Sequence, residues 1–167
     1  MLNRKNNMSS NPHAARQENE RKVLQRNQNP HMFRPMELRS VSSRNRIMVS
    51  PMCQYSATDG TPNDWHFQHL ASRAVGGAGI VFTEVVHVEP RGRISPYCLG
   101  FWDDAQIEPY ARIVKFMQAQ GALAGIQIGH AGRKASTAAP WNGGKPVTSE
   151  QGGWDEVIGP SPIAFAT

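Results

Sequence analysis

The sequence predicts an α/β fold with parallel strands, and three observations support that prediction. From residue 33 onward, three short apolar segments alternate with two amphipathic segments. The middle apolar segment, residues 80–86, is an almost continuous run of β-branched and apolar side chains, typical of a strand buried on both faces. Each amphipathic segment ends at glycine, as a helix often does. This alternation indicates right-handed βαβ units.

The first strand and the first helix are predicted at the start of this region. The strand covers residues 47–49, and its carboxyl end lies at 50–53. A turn is predicted at 59–62, where Gly and Pro follow Asp. Either residue of the Asn-Asp pair at 63–64 can cap the helix, which ends at the glycine pair 76–77. The side chains expected on its buried face are Trp65, Leu70, Ala71, Ala74 and Val75.

The second half of the region repeats the pattern. After the strand at 80–86 and a loop with two prolines, a helix begins at the Asp pair 103–104 and ends at Gly121. Its apolar residues recur at spacings of three and four: Ile107, Tyr110, Val114 and Met117. Residues 122–128 are predicted to form a third buried strand. After His130 the chain is rich in Pro and Gly and is predicted to be loop.

The amino-terminal segment has a different composition. Residues 1–32 are dominated by Asn, Gln, Arg and Glu, and such a segment buries too little apolar surface to become ordered. We therefore predict a disordered polar tail at 1–32 and an α/β region at 33–167. The formal net charge of +5 comes largely from this tail and from residues 39–46, not from a basic stripe interleaved with aromatics. Nucleic-acid binding is the weakest of the functions considered.

The two cysteines, Cys53 and Cys98, form neither a disulfide framework nor a Cys-x-x-Cys pair. Reduced thiols in a cytoplasmic protein are the expectation. No apolar run approaches the ~20 residues that a membrane span needs, so no membrane association is expected. The histidines are not spaced like metal ligands, and no metal site is predicted; His66, His69 and His87 are expected to be surface or packing residues.

The carboxyl ends of the three predicted strands carry unusual residues: the segment SPMCQY follows the first, TEV ends the second, and QIGH ends the third. Further segments stand in the same order, at 45–47, 63–66, 77–80, 91–94, 127–134 and 160–165. Together they resemble the Old Yellow Enzyme family of FMN-dependent ene-reductases, most closely its bacterial thermophilic-like and xenobiotic-reductase branch. The resemblance extends from about residue 33 to residue 167.

The resemblance implies the amino-terminal part of a (β/α)₈ barrel, about three βα units, whose functional groups lie at strand ends. It implies an oxidoreductase that uses FMN, with NAD(P)H as hydride donor, to reduce activated C=C bonds in enones, enals and nitro-alkenes. The substrate is then a small molecule, and a homo-oligomer is possible.

The resemblance also assigns residues. Cofactor binding is expected from Ser50, Pro51, Met52, Cys53, Val85 and Gln127, and catalytic roles from Cys53 and Tyr55. In this assignment the Cys53 thiol lies beside the flavin, the Tyr55 phenol binds the activating group, and Gln127 binds the pyrimidine edge. Valine at position 85 departs from the small residue usual in relatives.

Other interpretations of these residues stay open. Cys53 could be a small buried hydrophobe, Tyr55 a packing residue, and Gln127 a partner in a structural hydrogen bond. His130 and Arg133 are expected to fix the loop after the third strand, although His130 could also act as a general base.

The chain lacks the later segments that carry the family's paired histidines and its phosphate loops. Whether this chain is itself an enzyme is therefore open. One alternative is a truncated, catalytically inactive fragment. Another is a flavin-binding or interaction module that dimerises to complete a barrel.

Overall fold

The computed structural model describes Glu18 and residues 30–165. The predicted disordered tail at 1–32 lies outside the described residues, apart from Glu18 and residues 30–32, and the division at residue 33 stays a prediction. Among the described residues, no helix is long and apolar enough to cross a membrane.

A three-stranded parallel sheet with two crossover helices forms the centre of the structure. The strands lie in the order β3 (Met48–Val49), β4 (Ile80–His87) and β5 (Leu123–Gly129). Helix α1 (Asp64–Val75) connects β3 to β4, and helix α2 (Ile107–Ala119) connects β4 to β5. The predicted α/β fold with parallel strands is confirmed.

An antiparallel hairpin precedes the sheet and was not predicted. Its strands β1 (Met36–Leu38) and β2 (Val41–Ser43) pair with Met36 opposite Ser43. Arg39 takes a φ of 54° in the connecting turn. Strands of three residues show no clear alternation of apolar and polar side chains, so their pattern could not be recognised. Short 3₁₀ helices occur at His31–Phe33, Pro90–Gly92, Asp104–Gln106, Gly132–Lys134, Pro140–Asn142 and Ser149–Gln151.

Both helices begin and end at the predicted signals. The Asn63 side chain accepts a hydrogen bond from the Trp65 backbone N–H (3.1 Å), and the His66 ring accepts one from the Asn63 N–H (3.2 Å). Gly77 follows the end of α1 with a φ of 100°, a conformation that favours glycine. Asp103 caps the 3₁₀ turn that leads into α2.

The helices pack on the sheet through one core, formed by Leu70, Ala74, Ala78, Val81, Ile113, Met117 and Ala122. The prediction that Trp65 and Val75 share this buried face is wrong: they are 55% and 63% exposed. Each stands five residues from Leu70, which places it about 140° around the helix from that residue. Trp65 instead donates its indole N–H to Gln54 (3.1 Å).

The prediction of a third buried strand is correct in position and wrong in burial. Ile126, Gln127 and Ile128 in β5 are exposed. The reason is that β5 is the last strand in the sheet order, and no neighbouring strand covers it within the described part of the chain.

Candidate active site

The carboxyl ends of the three parallel strands bring the predicted site residues to one edge of the sheet. Residues 50–55 follow β3 directly, Val85 lies near the end of β4, and Gln127 lies near the end of β5. Val85 and Gln127 are paired across the two strands, and Val49 pairs with Val81 earlier on β4. Residues far apart in sequence are therefore neighbours here.

A β-bulge in β4 shapes this edge. Phe82 is opposite Gly125 and Val85 is opposite Gln127, so β4 has one residue more than β5 between these pairs. Bulges of this kind reorient side chains and are frequent next to active sites. Here the bulge buries both Thr83 and Glu84, and the Val85 backbone N–H donates to the sulfur of Cys53.

The face of the sheet opposite the helices is open within the described chain. The helices cover the face that carries Val81. On the other face, the Phe82 ring covers Gly125, and a Cβ on that glycine would lie only 2.6 Å from the ring. Gln127 is exposed, and its amide makes no hydrogen bond to another described residue. The structural hydrogen bond considered as an alternative role for Gln127 is absent among the described residues, so its donor and acceptor are free for a ligand.

Val85 also belongs to this open face. A Cβ on Gly129 would lie 2.6 Å from the Cγ2 atom of Val85, so the valine occupies space that only glycine leaves free. The unusual valine is thus accommodated by its neighbour on β5.

Cys53 lies between the loop after β3 and strand β4. Its side chain is half-buried, and the Cys98 thiol hydrogen-bonds to it. This hydrogen bond lowers the pKa of the Cys53 thiol, against the opposing effect of burial. The partner was missed in the sequence because Cys98 lies on a distant loop, and no spacing rule connects the two cysteines.

Tyr55 has a left-handed backbone, with a φ of 50°. Its ring packs edge-on against Trp141, with 5.3 Å between centroids, and the described chain offers its hydroxyl no hydrogen-bond partner. Burial raises the pKa of the Tyr55 phenol, followed by smaller effects of Cys53, Cys98 and Glu84. Trp141 is a site neighbour that the sequence did not reveal.

Of the remaining predicted residues, Ser50 and Met52 are exposed and Pro51 is half-buried, all on the segment that leaves β3. These positions are compatible with backbone contacts to a ligand above the strand ends.

His130 is engaged through both ring nitrogens. Its Nδ1 accepts from the Gly132 backbone N–H (2.9 Å), which leaves Nε2 as the donor to Glu89 (2.7 Å). This hydrogen bond lowers the pKa of the Glu89 carboxyl. Arg133 bonds to Ser161 (2.7 Å). Both residues hold the loop after β5, as the structural interpretation expects.

A buried contact between a histidine and a glutamate lies behind the site. His66 Nε2 is 3.3 Å from Glu84 Oε1, and both side chains are almost fully buried. The sequence predicts a surface or packing role for His66. Its contact with Glu84 is not predictable, because the bulge that buries Glu84 is not visible in the residue pattern. Among the described residues, no group of three His, Cys, Asp or Glu side chains could hold a metal ion.

This arrangement fits a flat heteroaromatic ring. The open face presents small or apolar surface at Gly129 and Val85, and the free amide of Gln127 supplies one donor and one acceptor at its edge. A thiol and a phenol, from Cys53 and Tyr55, stand at the neighbouring strand end. Aromatic ring systems with polar edges are recognised by such a combination of apolar walls and few polar groups.

Comparison with known proteins agrees with this geometry. The model of the NADH:flavin oxidoreductase / NADH oxidase family matches residues 31–157. An NADH:flavin oxidoreductase of Gibberella zeae is 44% identical over 135 residues, which are 80% of this chain and 33% of that protein. An NADPH dehydrogenase of Listeria monocytogenes is 40% identical over 136 residues, 80% of this chain and 36% of that protein. The chain thus spans about a third of the length of these relatives.

Solved structures give the same fold. Morphinone reductase in complex with tetrahydroNAD superposes with a TM-score of 0.59 at 30% identity, over 65% of this chain and 29% of that one. The old yellow enzyme from Trypanosoma cruzi superposes with a TM-score of 0.58 at 29% identity, over 65% of this chain and 29% of that one. The strands and helices described above are therefore part of the (β/α)₈ barrel of such enzymes, and the chain belongs to the NADH:flavin oxidoreductase / NADH oxidase family.

Proposed function

We propose that this chain forms the FMN-facing part of an NAD(P)H-dependent oxidoreductase that reduces activated C=C bonds. The observation that carries the proposal is the convergence of residues 50–55, Val85 and Gln127 at the carboxyl ends of the parallel strands. In barrels of this type the carboxyl ends of the strands form the active site. The family membership supports the flavin, and the chemistry of the site residues supports the substrate class.

Different residues of the site contact different parts of the flavin ring. The Gln127 amide pairs with the polar edge of the ring, and Val85 with Gly129 forms the surface against which the ring lies. The backbone of Pro51 and Met52 contacts the ring from the end of β3. FMN, when bound by these residues, would supply the hydride-transfer chemistry between NAD(P)H and the alkene.

Tyr55 is suited to polarise the substrate. A tyrosine phenol has an ordinary pKa of 10.0 and is protonated at neutral pH, and the raised pKa of Tyr55 extends this protonated range, so the hydroxyl can donate to a carbonyl or nitro oxygen. Such a hydrogen bond withdraws electrons from the C=C bond and favours hydride addition at the β-carbon.

The proposal includes a cytoplasmic location, since both cysteines are free thiols, the state expected in a reducing compartment.

The test is a visible absorption spectrum of the purified chain after incubation with FMN and desalting. We expect the wild-type chain to retain a flavin spectrum. The Gln127→Ala variant should bind FMN roughly tenfold more weakly, since a lost hydrogen-bonding group costs about 1–2 kcal/mol. Gln118→Ala removes an exposed glutamine from α2 and is the matched control, with unchanged binding.

A colourless protein after desalting would contradict FMN binding by this chain. A protein that retains FMN but oxidises no NAD(P)H in the presence of an enone would support a flavin-binding module instead of an enzyme.

A further inference from the structure

The two cysteines of the chain meet at the carboxyl end of β4. The Cys98 thiol donates a hydrogen bond to the Cys53 sulfur, and both are free thiols. The Val85 backbone N–H also donates to Cys53. Two thiols in hydrogen-bond contact can exchange protons and can be oxidised as a unit, so their chemistry is coupled.

Backbone hydrogen bonds hold the Cys98 loop in this place. Tyr97, which precedes Cys98, accepts from the Ala57 N–H (2.9 Å), in the segment that follows Cys53. Leu99, which follows Cys98, accepts from the N–H of His87 in β4 (3.0 Å). Cys98 is therefore fixed on both sides, between the loop after β3 and the end of β4.

The two thiols differ in access and in acidity. Cys53 is half-buried at the open edge, whereas Cys98 is fully buried. The hydrogen bond from Cys98 lowers the pKa of Cys53, while that contact and burial raise the pKa of Cys98. A partly accessible thiol whose pKa is lowered, next to a second thiol, is the arrangement found at redox-sensitive cysteines.

We propose that Cys53 and Cys98 form a peroxide-oxidised thiol pair, in which Cys53 is the attacked thiol and Cys98 is the resolving thiol. The pair is a modification site of the polypeptide itself. Oxidation of this thiol pair does not require bound flavin, so its test is independent of the proposed function.

The chemistry balances with hydrogen peroxide as the oxidant. The Cys53 thiolate attacks one peroxide oxygen, the O–O bond breaks, and the products are Cys53 sulfenic acid and, after protonation of the leaving hydroxide, water. The Cys98 sulfur then attacks the Cys53 sulfur, the S–O bond breaks, and the departing hydroxide leaves as water with the Cys98 proton. Two thiols lose two electrons in total, and one peroxide is reduced to two waters.

The disulfide would have a direct consequence for the site. It would tie the loop after β3 to the loop before α2 and remove the Cys53 thiol from the open edge. Reduction by a small dithiol restores both thiols.

The test is peroxide treatment of the flavin-free, full chain in the presence of dimedone, which traps sulfenic acid. After quenching with N-ethylmaleimide, the protein is digested with trypsin without reduction. We expect the wild type to yield a cross-linked pair of peptides, residues 47–73 and 94–112, which disappears on reduction. We expect Cys98→Ala to lose the cross-link and to gain a dimedone adduct on Cys53.

Two variants separate chemistry from packing. Cys98→Ser keeps the size and a hydrogen-bond donor but cannot resolve a sulfenic acid, so it should also accumulate the adduct. Cys53→Ser should leave the buried Cys98 unmodified. A wild type that carries the adduct without a cross-link, stays fully reduced, or links two chains instead of one would overturn the proposal.

Discussion

The imidazole of His87 lies at the end of β4 and is 1% exposed. Its Nδ1 donates to the Leu99 carbonyl (2.8 Å), while its Nε2 is buried without a partner among the described residues. Burial lowers the pKa of His87, against the effect of the Leu99 carbonyl, and the neighbouring Arg93 and His130 side chains add smaller effects in the same direction as burial. The pKa of His87 falls because protonation would place a charge on a buried ring that water cannot solvate.

This shift predicts a loss of stability in acid. The unfolded chain takes up a proton near the ordinary pKa of 6.5, whereas the folded chain does so only at lower pH. Between these values the unfolded state binds more protons, so the free energy of unfolding falls as the pH drops below about 6.5. We expect His87→Asn, which keeps a donor near the Nδ1 position, to flatten this fall in urea denaturation at a series of pH values.

The exposed His31 supplies the control, and His31→Asn should follow the wild-type pH dependence. Part of the slope should survive in His87→Asn, because burial also lowers the pKa of His69. Identical slopes for all three proteins would show that His87 does not contribute.

Residue positions at the site were only partly predictable from the sequence. Residues 50–55, Val85 and Gln127 converge because parallel strands present their carboxyl ends at one edge, and that follows from the predicted strand order. The contacts of Cys53 with Cys98 and of Tyr55 with Trp141 did not follow. They join loops that are distant in the chain, and loop paths are set by tertiary hydrogen bonds and not by a local pattern.

At the scale of the elements, Arg44 connects the helix ends to the segment between β2 and β3. Its guanidinium donates to the carbonyls of Ala74 (2.8 Å), Ala78 (2.8 Å) and Gln120 (2.5 Å). These carbonyls lie at or beyond the carboxyl ends of α1 and α2, where a positive charge also interacts favourably with the helix dipole. Nothing in the sequence pattern around Arg44 indicates these contacts, because they join residues 30 or more positions apart.

Arg44→Ala should therefore destabilise the fold. We expect the free energy of unfolding to fall by about 1–3 kcal/mol, because hydrogen bonds from a charged group are lost at both helix ends. Arg46→Ala removes an exposed arginine two residues away and should change the free energy by less than about 0.5 kcal/mol. Equal effects in chemical denaturation would mean that the Arg44 hydrogen bonds contribute nothing.

The ends of the helices were predictable from the sequence. Which side chains of each helix and strand are buried was less predictable. Asn63, Asp103 and the glycines after each helix carry local signals that fix the ends. The bulge at Phe82–Val85 has no such signal, because Thr83 and Glu84 interrupt the apolar run of β4 but do not by themselves indicate an extra residue in the strand. The exposure of Ile128 depends on what lies beside β5, which a strand's own sequence does not encode.

At the scale of the whole molecule, the described part of the chain leaves the outer edge of β5 unpaired. Ile126 and Ile128 are 43% and 66% exposed on this strand. A groove of about 260 Å³ lies beside Ile126 and is also lined by Phe101 and Tyr110. An unpaired edge with exposed apolar side chains is a template for pairing with another strand.

This surface predicts that the purified 167-residue chain self-associates through the exposed edge of β5. Ile128→Lys places a charge at the unpaired edge and removes apolar surface whose burial is worth about 1.5–3 kcal/mol, so we expect roughly tenfold weaker association or more in sedimentation velocity. Val75→Lys changes an equally exposed side chain at the end of α1 and should leave association unchanged, because that residue lies away from the sheet edge. If both variants weakened association alike, net charge and not the β5 edge would be the cause; a monomeric wild type would show that the edge is protected in solution.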